Sequence, residues 1–118
     1  MTDKAAGEIS KAHTDNDYRI YAAESKIRGF KAQIRKLTKK QQSLTEQISN
    51  SVVMIDELEA KKKLQTESER EETEINISKI SSEAEQLQAE LEATTIEIAE
   101  LKEKVKIQKE IVRGGGGS

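Results

Sequence analysis

The stretch KKKLQTESEREE, Lys61 to Glu72, decides how this chain folds. It is either the middle of one long rod or the bend between two helices. Its charges are ordered. Lys61, Lys62 and Lys63 suit a helix C-terminus, whose carbonyl end is partly negative. Thr66 and Ser68 follow, both good N-cap residues, and each has a glutamate three residues later, Glu69 and Glu71. That is the spacing of a capping box. Glu67, Glu69, Glu71 and Glu72 complement the positive end of a new helix. A helix stop followed by a helix start accounts for this order better than a solvated helix face does. No Gly or Pro marks the turn, however.

Outward from the stretch, two apolar seams run at heptad spacing. On its N-terminal side one position of the repeat reads Ile20, Ile27, Ile34, Gln41, Ile48 and Ile55. Its companion reads Ala23, Phe30, Leu37, Leu44, Ser51 and Leu58. Isoleucine at a and leucine at d over this many heptads predicts a coiled coil. The same frame then meets Lys62, Gln65 and Glu69 and lapses. A second seam, displaced by one residue, reads Ile77, Ile80, Ala84, Leu87, Leu91, Thr94, Ile98, Leu101, Val105, Gln108 and Val112. An apolar stripe that lapses and returns out of phase fits two helices better than one.

Folding the chain back pairs the seams. Ile34 then meets Leu101, Leu37 meets Ile98, Leu44 meets Leu91, Ile48 meets Leu87, Ile55 meets Ile80 and Leu58 meets Ile77. Gln41 faces Thr94, a polar layer that fixes register at some cost in stability. Flanking charges contribute little: Glu24 opposite Lys109 and Lys40 opposite Glu97 attract, while Lys31 and Lys102 repel. The expected fold is all-α: an elongated coiled coil, read as an antiparallel helical hairpin, with one continuous long helix in a dimeric coiled coil as the alternative. The hairpin would be about 70 Å long and the rod about 145 Å, at roughly 1.5 Å per residue.

The expected organisation is a flexible N-terminal tail at 1–16 and a coiled-coil module at 17–113. The module's arms cover 17–64 and 68–113, around a bend at 65–68. Residues 114–118, GGGGS, have the composition of a flexible spacer and read as an engineered linker. The chain accordingly reads as a piece of a longer protein or one part of a fusion.

Composition bounds the function. Of 118 residues 36% are charged and 3% aromatic, with no Pro, Cys or Trp. Such a chain lacks the apolar mass of an ordinary globular core and has the make-up of long helices. The formal net charge of −2 favours no class of partner, so any electrostatic signal is local. Without cysteine there is no disulfide framework or thiolate metal site. No apolar run approaches a membrane span. The only histidine, His13, stands in the tail without clustered ligands, and no Gly-rich phosphate loop precedes the terminal glycines. No catalytic constellation is present, and neither an enzymatic role nor a cofactor is expected.

Two surface features remain. Lys26 to Lys40, KIRGFKAQIRKLTKK, carries seven basic residues and no acidic one. Arg28, Arg35, Lys36 and Lys39 fall at outward positions and are candidate anion-binding residues. In a hairpin Lys102, Lys104, Lys106 and Lys109 join them at the same end. A basic end suits nucleic acid, acidic lipid or a microtubule surface. Phe30 belongs to the seam and no aromatic interleaves among the exposed basic residues, which disfavours base stacking. Val52, Val53, Met54, Ile75, Ile96, Ile107 and Ile111 lie off the seam. A two-helix hairpin cannot bury them, so Val53, Ile75, Ile96, Ile107 and Ile111 are candidate contacts for further helices. The expected function is a structural scaffold or assembly module that binds itself or other helical subunits. The expected location is the cytoplasm or nucleus.

Overall fold

In the computed structural model the backbone is described for residues 2–117 and the side chains for residues 15–114. Two α-helices account for the fold. The first, α1, spans Thr2–Lys62 and the second, α2, spans Glu67–Gly117; they form an antiparallel hairpin. Among the described residues there is no strand. The helix ends differ from the expected arms. Helical backbone begins at Thr2, and α2 continues to Gly117. Residues 2–16 carry no heptad seam, yet Ala5, Ala6 and Ala12 are strong helix formers, and a helix already nucleated propagates at little cost.

The turn occupies residues 63–66, two positions before the expected bend. It is closed by backbone bonds rather than by glycine. The Leu64 amide donates to the Lys61 carbonyl at 3.0 Å and the Gln65 amide to the Lys62 carbonyl at 3.2 Å. These i→i−3 bonds tighten the last turn of α1 and satisfy carbonyls that would otherwise be orphaned. No residue here has positive φ, which is why the turn needs no glycine. The Arg70 Nε donates to the Lys62 carbonyl at 3.1 Å, so α2 also caps the end of α1.

Thr66 begins α2. Its hydroxyl accepts the Glu69 amide at 3.4 Å, and its carbonyl accepts the Arg70 amide at 2.9 Å, the first intrahelical bond. Ser68, the other expected cap, lies inside the first turn of α2. The dipole argument matches the observed ends: Lys61 and Lys62 close α1, and Glu67 and Glu69 open α2.

The hairpin comprises two compact units. One combines Met1–Lys36 with Ile98–Ser118; the other is Leu37–Glu97, which contains the turn. In the first unit the buried side chains are Ala23, Ile98, Leu101 and Val105. Ile20, Ile27, Phe30 and Ile34 are half-buried on α1. In the turn unit Leu44, Thr73 and Thr94 are buried. Leu37, Ile48, Ile55, Leu58, Ile77, Ile80, Leu87 and Leu91 are half-buried. Burial thus tracks both heptad frames, including Gln41, Ser51, Ala84, Gln108 and Val112. Among the described residues no large side chain is fully buried. Two helices cover each seam residue from one side only, so the apolar seam keeps partial contact with water.

Candidate functional site

The polar layers fix which side chains share a face. Gln41 is half-buried at an a position of α1. Its Nε2 donates to the Thr95 Oγ1 at 3.0 Å. The Thr95 hydroxyl in turn donates to the Leu91 carbonyl at 2.8 Å. Thr94, the expected partner, is 2% exposed and turns its hydroxyl back to the Glu90 carbonyl at 2.8 Å. That back-bond satisfies Thr94 within its own helix. Gln41, whose longer side chain reaches the neighbouring edge position, therefore bonds to Thr95. A similar displacement affects the flanking charges. Lys40 pairs with Glu90 at 3.1 Å, not with the expected Glu97, and both partners are about half exposed. The pair contributes on the order of 0.2–1 kcal/mol at such exposure.

A second polar layer closes the hairpin near the turn. The Thr73 hydroxyl donates to the Gln65 Oε1 at 2.5 Å, and Thr73 is buried. Lys62, at the adjoining seam position, reaches Glu74 at 3.0 Å and Glu59 at 4.0 Å. The apolar stripe lapses at Lys62 and Gln65, and polar contacts to Glu74 and Thr73 take its place. Extending the α2 frame backwards from Ile77 and Ile80 places Thr73 on the seam, a signal present in the sequence.

The off-seam apolar residues are exposed. Val52, Val53 and Met54 are about half exposed, Ile75 is 62% exposed and Ile96 is 59% exposed. Ile107 and Ile111 are also exposed. Sequence reasoning missed three more: Tyr18, Tyr21 and, at the turn, Leu64, which is 91% exposed. In the turn unit an open groove of about 570 Å³ runs beside the Gln41–Thr95 bond. Gln42, Thr45, Ser49, Asn50 and Leu91 line it along with those two residues and Glu46.

Arg28, Arg35, Lys36 and Lys39 are all exposed, as outward positions require. The heptad frame separates them: Arg28 and Arg35 are at b, Lys36 at c and Lys39 at f. The structure gathers a different set. A groove of about 330 Å³ in the first unit is lined by Lys31, Ile34, Lys102, Val105, Lys106 and Lys109. Across the same unit, Lys104 Nζ stands 6.0 Å from the centre of the Phe30 ring, near the outer limit for a cation–π contact.

Among the described residues no cluster of His, Cys, Asp and Glu could hold a metal ion, and no helix is long and apolar enough to cross a membrane. His13 lies outside the residues whose side chains are described. Compared with protein-family models, curated proteins and solved structures, the chain shows no significant match to any.

Proposed function

We propose that this chain is a structural module, a coiled-coil hairpin that acts as a scaffold or assembly unit through helix–helix contacts. It binds further helices, from a second copy or from other helical subunits of the cytoplasm or nucleus. One observation carries this reading. A hairpin whose seam residues are mostly half-buried also exposes Val52, Val53, Met54, Ile75 and Ile96. Isoleucine at the outer f position of α2, once at Ile75 and again three heptads later at Ile96, contributes nothing to the pairing of α1 with α2. Covering each such side chain is worth about 1.5–3 kcal/mol when burial is complete.

Sedimentation equilibrium over a wide concentration range tests the proposal. The expected mass exceeds that of one chain and rises with concentration. Ile75→Lys with Ile96→Lys should lower it toward the monomer while helicity is kept. A monomer at every concentration, melting cooperatively above about 60 °C and unaffected by the two substitutions, contradicts the proposal.

A further inference from the structure

The basic groove of the first unit is unexplained by helix–helix assembly. Lys31 comes from α1 and Lys102, Lys106 and Lys109 from α2, yet all four line one groove, and no carboxylate lines it. Its apolar lining is Ile34, which is half-buried, and Val105, which is buried. In the heptad frames Lys31, Lys102 and Lys109 occupy e positions, beside the seam. Opposite charges usually meet at such edges. Here Lys31 and Lys102 line the same edge, and like charges there disfavour the pairing.

Charge on α2 is also segregated. Over the last turns the acids Glu100, Glu103 and Glu110 fall at c and f, on the outer face. Lys102, Lys106 and Lys109 fall at e, b and e. The closest carboxylate by register on α1, Glu24, is one heptad before Lys31 and does not line the groove. Lys102 and Lys109 are one heptad apart, about 10 Å along the helix. Four lysines therefore line a short length of the hairpin edge, each ammonium with three donors and no fixed orientation.

From this convergence we infer that the groove binds a compact polyphosphate anion, several phosphate groups carried on one small ligand or headgroup. Lysine as a point charge selects density of negative charge more than a planar geometry, which suits clustered phosphates. The groove has the volume of a small-molecule site. No aromatic side chain lines it, so nothing there would stack on a nucleotide base. Bound phosphate would also relieve the Lys31–Lys102 repulsion, so the ligand should raise the melting temperature.

Titration calorimetry of the full chain with inositol hexakisphosphate as the probe tests this. One site per chain is expected. Lys102→Gln with Lys106→Gln should weaken binding by about tenfold or more, since each lost charge-assisted bond counts separately. Lys36→Gln with Lys39→Gln removes the same charge outside the groove and should change affinity by no more than about twofold. Circular dichroism should show unchanged helicity for both variants, as all four lysines are exposed. Vesicles containing polyphosphoinositide separate the sources. Groove-dependent vesicle binding assigns the phosphates to a lipid headgroup, whereas binding of the soluble probe alone assigns them to a free polyphosphate; both support the site. Equal losses from the two double variants, more than one ligand per chain, or no binding at low salt overturns it. Tighter binding of a short DNA duplex that is insensitive to the groove variant overturns it as well.

Discussion

The two units of the hairpin solve the pairing problem differently. The turn unit is specified by polar groups. It holds the Gln41–Thr95 and Gln65–Thr73 hydrogen bonds, and all three ion pairs among the described residues. It also holds the Thr66 cap and the Arg70 bond to the Lys62 carbonyl. In the other unit the buried side chains are apolar, Ala23, Ile98, Leu101 and Val105, and the edge brings lysines together. Polar layers contribute little net stability but penalise a slipped register, because a slip leaves them unpaired. Apolar layers stabilise without choosing a register. A basic edge does neither, and its charges have no partner of opposite sign lining the groove. The difference separates a unit whose polar contacts select a register from one held by apolar contacts.

Four substitutions test that contrast, and the largest effect belongs to the buried layers. Leu44→Asp places an unpaired charge at a site only 4% exposed. It should cost at least about 3 kcal/mol and remove most of the helical signal at 25 °C. Ile98→Ala, in the apolar unit, should cost about 2–4 kcal/mol by denaturant titration, toward the low end if the neighbouring side chains relax into the space.

Gln41→Ile should leave stability equal or raise it slightly, since it removes a polar group from the seam. It should also loosen register, seen as broadened label-to-label distances in the turn unit. A sharp, unchanged distance distribution would show that Gln41 does not set register. Smallest is Gly29→Ala. A Cβ at Gly29 would meet nothing within 4 Å, so the substitution should stabilise by about 0.8–1 kcal/mol through helix propensity alone.

Much of this was legible in the sequence because heptad spacing and capping are local signals. Ile27, Leu44, Leu87 and Leu101 sit on the seam that their spacing predicts, and Thr66 caps α2 as its distance from Glu69 predicts. What could not be read depends on side-chain reach. Register arithmetic sets Gln41 against Thr94, but a threonine in a helix can bond to its own preceding turn, which leaves the longer glutamine to find Thr95. Lys40 chooses Glu90 over Glu97 for the same reason: a flexible four-carbon stem spans more than one turn. The turn lies at residues 63–66 because Lys62 still serves the seam as the partner of Glu74, a role invisible to a pattern that counts only apolar residues. The lysine groove is assembled from residues far apart in sequence, so the basic run at 26–40 supplies only Lys31 and Ile34 to its lining.

One chain folds back on itself. Spin labels at Gln33 and Lys102, both in the first unit, measure this directly. With labelled protein diluted in an excess of unlabelled protein, the hairpin predicts a single distance below about 25 Å, a few helix diameters at most. A distance on the order of 100 Å, which a continuous helix imposes at about 1.5 Å per residue, would contradict it. So would a short distance that disappears on dilution.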